Sequence, residues 1–284
     1  VMVAITRQLT FLVFALFTPI TLGVNTWMER RGDKKKADDQ AAEYTASRER
    51  CIDRVNQINH DFLTWLDLAY PSGAECAAMC TDLSTRLWER SADHDVDFLH
   101  LRIGMGKRPS PIELSAPRGL DLPPVTVDEA PIALDLVEAR VLGIAGPAPL
   151  TNGLARSLVL QLATLHSPDE VRLHVLVDTL EEAAREWEFT RWLPHCWQAD
   201  RRSAQLAVGN DAATEIVQAL RDEIDNRLEN RGHGSRAELP LPRHIALIVG
   251  AGKFRQRSDV AELLERGPAV GVYAIAVDAD ERRL

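Results

Sequence analysis

The 284 residues are 45% hydrophobic and 26% charged, with a net charge of −9. This excludes disordered, collagen-like and disulfide-scaffold chains and fits one large or two small domains. Charge is placed unevenly: residues 1–36 carry six basic and two acidic groups, net +4, which leaves 27 basic and 40 acidic groups, net −13, on the remaining 248. So acidic a body disfavours nonspecific nucleic-acid binding.

Leu9–Trp27 runs 19 positions without a charge, and a helix of that length is about 28 Å long, close to a bilayer core. Arg30, Arg31, Lys34, Lys35 and Lys36 follow at once, and the positive-inside rule then places everything from Glu29 onward in the cytoplasm. Arg7 before an apolar run also reads as a cleaved signal peptide, but no small-residue cleavage site follows and the basic block is costly to translocate. Trp27 belongs at the interface, and Pro19 is tolerable in lipid, where a partner helix or Thr18 satisfies the freed carbonyl. The Val-Met-Val start and the end at Leu284, directly after a strand-like run, read as a fragment at both ends. Arginine outnumbers lysine 28 to 5, as a high-GC genome would give.

From Glu29 to about Leu68 one long helix is expected, with Ile52, Val55, Ile58, Phe62, Trp65 and Leu66 at helical spacing. Its first half, Lys34–Arg50, is almost wholly polar and either crosses solvent as a stalk or pairs with another chain. Pro71-Ser72-Gly73 breaks it, and a second helix is expected over about Gly73–Glu89. Short strands follow at Phe98–Ile103, Ile112–Leu114, Val125–Val127 and Ile132–Leu136. Then strand and helix alternate: Val141–Ala145, Leu154–Leu165; Val171–Val177, Glu181–Trp192; Gln205–Val208, Ala212–Asn230; His244–Val249, Ser258–Glu265; Val270–Val277. Apolar strands joined by helices predict a parallel sheet covered on both faces. The predicted organisation is a transmembrane helix and flank over 1–28, a cytoplasmic helical stalk over 29–93, and an α/β domain over 94–284.

The first strand-to-helix junction of such a sheet is where phosphate usually docks. Here it reads Gly143-Ile-Ala-Gly146-Pro-Ala-Pro-Leu-Thr151-Asn-Gly153-Leu-Ala-Arg156-Ser157. A P-loop requires G-x-x-x-x-G-K-[ST], with lysine on the β/γ oxygens and a hydroxyl on magnesium. Six residues separate Gly146 from Gly153, Leu154 and Ala155 take the lysine and hydroxyl places, and Pro147 and Pro149 remove two amide donors. Gly146, Thr151, Gly153 and Arg156 are the candidate residues of a weakened nucleotide pocket, the plainer reading being a loop whose Thr151 or Asn152 caps the next helix. His244–Val249 ends in Gly250-Ala-Gly252-Lys253, without the carboxylates that hold magnesium and activate water in a Walker B strand. No ATP hydrolysis by this chain alone, no catalytic residue and no metal site are predicted.

Other constellations read as structural. Asp178 and Asp278 end strands, where turn capping is the ordinary role. Trp187, Trp192 and Trp197 form either an exposed partner patch or a core lid. Adjacent His195 and Cys196 point apart on extended chain, so they make no nucleophile pair. Cys76 and Cys80 lie i,i+4 without a second ligand pair, and all four cysteines read as free, buried thiols.

Leu87-Trp-Glu-Arg90, Asp97-Phe-Leu99, Arg102-Ile-Gly-Met-Gly106, Leu160-Gln-Leu-Ala-Thr164, His166-Ser-Pro-Asp169 and Trp192-Leu-Pro-His195, in that order, resemble EccC, the membrane-anchored FtsK/SpoIIIE-type ATPase of actinobacterial type VII secretion systems. The resemblance covers nearly the whole chain. It implies the last transmembrane helix, a stalk, and a P-loop-NTPase-like (RecA/FtsK-like) α/β domain with degenerate nucleotide motifs, while the true ATPase modules, with their ATP and magnesium, lie downstream. It also implies a cell-membrane location, partners among the other secretion components, self-association through the span and stalk, and WXG100-type proteins as cargo of the downstream modules. The family's catalytic residues match no position here. Alternatives are an FtsK/SpoIIIE-type DNA translocase fragment, a hydrolase with an unusual loop, and a noncatalytic membrane-tethered interaction module.

Overall fold

The computed structural model describes residues 2–113, 124–178, 181–198, 203–231 and 239–283, with side chains described in these ranges except at 2–33, 181–183, 231 and 283. Helix α1 runs unbroken over Met2–Ala69. The expected span Leu9–Trp27 therefore lies on helical backbone, but its side chains fall outside those described; among the described residues no helix is long and apolar enough to cross a membrane. Residues 34–54 of α1 are exposed. Two compact units divide the chain, the first chiefly α1 up to Phe62, the second Leu63–Ser110 with Asp121–Leu284.

In the second unit, α1 ends after Ala69 at Pro71, and Ser72 opens α2 (Gly73–Thr81) with a capping box in which Ser72 Oγ accepts from Glu75 N and Glu75 accepts from Ser72 N. The helix expected to reach Glu89 stops at Thr81, eight residues early. Leu83 and Trp88 take positive φ (48° and 60°), and the chain docks instead on another helix end, Trp88 N donating to Thr164 O and Arg90 N to Leu165 O.

Strands β1 (His100–Pro109) and β2 (Thr126–Asp135) form an antiparallel ribbon. The strands expected at Val125–Val127 and Ile132–Leu136 are one strand. Pro131 sits inside it because a two-stranded ribbon leaves one side of each strand unpaired, where a missing N–H costs no ladder bond. Ile112 and Glu113 form no strand, and Leu114 lies outside the described residues.

Short α3 (Leu136–Ala139) leads into the sheet: β3 (Val141–Ala145), α4 (Ala148–Leu165), β4 (Val171–Val177), α5 (Glu181–Trp187), β5 (Leu206–Val208), α6 (Asn210–Arg231), β6 (Arg243–Val249), α7 (Ala251–Phe254), α8 (Ser258–Arg266) and β7 (Val272–Asp278). All pairings are parallel, in the order β3-β7-β6-β4-β5, as the alternation of apolar strands and helices predicts. The period of two splits each central strand. Leu173, Val175, Leu247 and Ile275 pack with Ala155, Leu158, Val159 and Leu162 of α4, whereas Leu176, Ala246, Ile248 and Ala274 pack with Val217, Leu220 and Ile224 of α6 and Leu263 of α8. On α6 the buried positions 213, 216, 217, 220 and 224 make the single stripe that a helix on a sheet face requires. The central strands β4, β6 and β7 are thus buried on both faces.

Candidate functional site

Connections after β4 lead outward to the edge strand β5, whereas those after β6 lead the other way to β7. Adjacent β4 and β6 therefore form a topological switch point, where open α/β sheets leave a crevice beyond the carboxyl ends of the strands. A cleft of about 430 Å³ lies there, lined by Thr151, Asp178, Gly250, Gly252, Lys253 and Asp278 among others.

Each lining group is already engaged. Gly250 takes left-handed φ 76°, and an added Cβ would lie 2.8 Å from Asp178 Cβ, so only glycine lets β6 turn into α7 at this spot. That turn brings Lys253 Nζ to 2.7 Å from Asp178 Oδ2. Asp278 accepts from Gly252 N at 2.8 Å and Asp280 N at 3.3 Å, a turn-capping role. Thr151 is buried and its hydroxyl donates to Ala148 O at 3.2 Å.

Of the four candidates at the first junction, only Thr151 reaches the cleft lining. Gly146, at φ 144°, ends β3, and α4 begins two residues later at Ala148, six residues before the expected start. Gly153 and Arg156 therefore lie inside a helix rather than on a loop. The expected helix cap is absent as well: Pro147 is the N-cap residue with no side-chain bond. Proline at the N-cap and again at the second helical position accounts for the early start, since its φ is pre-set for a helix and its missing N–H costs nothing there. Leu150 N and Thr151 N both donate to Pro147 O, at 2.9 and 3.1 Å. Asn152 Nδ2 donates to Glu186 Oε2 at 2.7 Å, and Arg156 Nη1 lies 3.6 Å from the same oxygen.

No family model matches the chain. Among curated proteins, EccC of Thermomonospora curvata is 30% identical over 198 residues, 63% of this chain and 14% of that protein. EccC of Geobacillus thermodenitrificans is 22% identical across 91% of this chain and 18% of its own length. EccC4 of the ESX-4 system of Mycobacterium tuberculosis is 27% identical across 67% and 16%. The chain is similar to a fragment of the EccC proteins of ESX secretion systems. It spans less than a fifth of the length of these EccC relatives. Relatives from Geobacillus and Bacillus lie outside the actinobacteria, so the similarity to EccC leaves the expected actinobacterial source open. The solved cytoplasmic domain of the Thermomonospora curvata type VII secretion ATPase EccC overlays 54% of this chain and 19% of its own at TM-score 0.42 and 19% identity.

The short motifs that carry the EccC resemblance gather away from the cleft, around the C-terminal end of α4. Leu99 N donates to His166 Nε2 at 3.1 Å, His195 Nε2 lies 2.8 Å from His166 O, and Arg90 Nε lies 3.1 Å from Asp97 Oδ2. Burial holds His166 neutral, with its pKa down to about 3, and His195 at about 4. Cys196 is pushed up to about 12 by burial, so the His195–Cys196 neighbours supply no thiolate. The three tryptophans do not act together: Trp187 is fully buried in the core, Trp192 is 83% exposed, and Trp197 is half-buried, donating to Arg191 O. Cys76 and Cys196 are buried, but Cys51 and Cys80 are exposed, which corrects the expectation of four buried thiols. Lys253 is the lining residue that sequence reasoning passed over. Its signal was the Gly-Ala-Gly-Lys run directly after an apolar strand.

Proposed function

We propose that the chain is the membrane-anchoring and coupling part of a type VII secretion ATPase of the FtsK/SpoIIIE type, itself binding no nucleotide. One observation carries the second half of this reading: the lysine at the switch point is committed to Asp178, and the arginine offered as a phosphate ligand is committed to Glu186. A nucleoside triphosphate with its magnesium needs several free amides, an available cation and a hydroxyl on the metal. The residues at this junction do not fit that group, because Pro149 has no N–H, two other first-turn amides are bonded to Pro147 O, and the Thr151 hydroxyl is turned onto the helix backbone. ATP and magnesium then belong to other modules of a longer protein.

Anchoring is supported by the uncharged Leu9–Trp27 run and the five basic residues behind it, which put the span in the cell membrane and the soluble part in the cytoplasm. The chain divides functionally into span (1–28), stalk (29–93) and coupling domain (94–284). Its partners are the other membrane components of the secretion machine and further copies of itself along the span and stalk. WXG100-type cargo is met by other modules; the ATPases 2 and 3 of Thermomonospora curvata EccC were solved with a signal sequence peptide.

Titration calorimetry of the whole chain in detergent with Mg-ATP and Mg-ADP tests the coupling reading. No saturable heat is expected, and micromolar binding lost on Arg156→Ala would overturn it. Extraction of the expressed chain from membranes by alkaline carbonate, in place of the expected retention, would overturn the anchor.

A further inference from the structure

A helix leaves its last carbonyls without partners and carries partial negative charge at that end. Helix α1 has no basic residue in its own last turn. Its terminal carbonyls are instead met by three guanidinium groups from elsewhere in the same unit. Arg86 Nη2 donates to Leu68 O at 2.7 Å, Arg90 Nη2 donates to Ala69 O, and Arg102 Nη1 donates to Tyr70 O at 2.9 Å. Three successive carbonyls thus receive three arginines, two of them, Arg90 and Arg102, from the motifs that the cleft leaves unexplained.

Each arginine is held from its other side. Arg86 is forked onto Glu89, with Nη2 2.6 Å and Nε 2.9 Å from its carboxylate oxygens. Arg90 is 3% exposed, donates to His100 O at 2.7 Å, and pairs with Asp97. Burial lowers its pKa, and the Asp97 and Glu89 charges work against that. Arg102 lies 3.4 Å from Asp67, and its backbone exchanges two bonds with the buried Gln161 of α4: Arg102 N to Oε1 at 2.7 Å and Nε2 to Arg102 O at 3.0 Å. Trp88 N and Arg90 N bond the last carbonyls of α4, at Thr164 and Leu165. The route from the end of α1 to the sheet therefore runs through charge-assisted bonds, which are the strong ones, and then through a helix packed on the central strands. Leu66 and Tyr70 are buried, and the Arg90 guanidinium lies 6.0 Å from the centre of the Tyr70 ring.

We propose that Arg86, Arg90 and Arg102 form a joint that locks the C-terminal end of helix α1 to the α/β domain, so that a displacement of this helix reaches the sheet through α4 instead of being absorbed at Pro71. The joint does not depend on what the chain exports or on whether the cleft takes nucleotide, and its failure would leave the coupling role to some other contact.

The test is a spin-label distance measurement in the full chain, with Cys51 and Cys80 changed to Ser and labels on Leu68→Cys and Glu265→Cys, both exposed sites in the second unit. A single narrow distance distribution is expected. In Arg86→Met/Arg90→Met/Arg102→Met the width should at least double while amide exchange in β6 and β7 stays as slow as before, a pattern that a general loss of packing would not produce. An unchanged width would overturn the proposal. Should the triple variant lose protection in β6 and β7, the Arg86→Gln/Arg102→Gln variant, which leaves buried Arg90 in place, decides the matter in the same way. Broadening supports the joint and an unchanged width refutes it.

Discussion

Lowering the pH from 7.5 to 5.5 should destabilise the α/β domain through four imidazoles that the fold keeps neutral. His166 accepts from Leu99 N on Nε2 and so carries its proton on Nδ1, directed at Leu162 O at 3.2 Å. His174 Nε2 and His244 Nδ1 are 2.8 Å apart, and His174 Nδ1 lies 3.1 Å from Gln205 Oε1, a chain of bonds with one proton per link. Burial lowers both of these pKa values, with Arg172 acting in the same direction on each and Arg227 on His244. His195 is buried against His166 O. In the unfolded chain all four take up a proton near pH 6.5, so below that pH the unfolded state binds more protons and stability falls as pH falls towards the folded values. Each histidine that stays neutral costs about 1.4 kcal/mol between pH 7.5 and 5.5, or about 5.5 kcal/mol for the four. That is a large share of a domain's usual 5–15 kcal/mol. Carboxylates held low in the fold, Glu75 and Asp259, contribute only further into acid, because their unfolded values lie below this window. Urea unfolding followed by tryptophan fluorescence at the two pH values measures the loss, and His195→Gln, which keeps an N–H for the His166 carbonyl, should remove about a quarter of it. A loss below about 1 kcal/mol would refute the neutral-histidine account.

Further outcomes follow from the same geometry. Gly250→Ala combines a left-handed backbone with a Cβ set 2.8 Å from that of Asp178 and should cost about 2–4 kcal/mol in denaturant unfolding; a cost near zero would mean that the β6–α7 turn relaxes freely. Trp187→Ala should cost about 3–5 kcal/mol and Trp192→Ala under about 0.5 kcal/mol, since one indole is fully buried and the other 83% exposed. Equal losses in thermal melts would contradict that division.

The sequence alone determined the order and type of nearly every sheet element. Apolar strands of β-branched residues and helices with one buried stripe carry their period in local residue choice, and Val141–Ala145 and Val171–Val177 match residue for residue. It also carries the resemblance to EccC, through short motifs kept in order. Helix starts and stops are less legible: α4 begins at Ala148 because Pro147 and Pro149 favour a first helical turn where the glycine and proline pattern suggests a loop, and the helix expected to reach Glu89 yields to docking on α4. Only the tertiary structure decided what the charged residues do. Lys253 meets Asp178 across 75 positions of sequence, and three arginines converge on the consecutive carbonyls of Leu68, Ala69 and Tyr70 where α1 ends. Such partners are set by strand order and by the turns between elements, and no local pattern of residues records them.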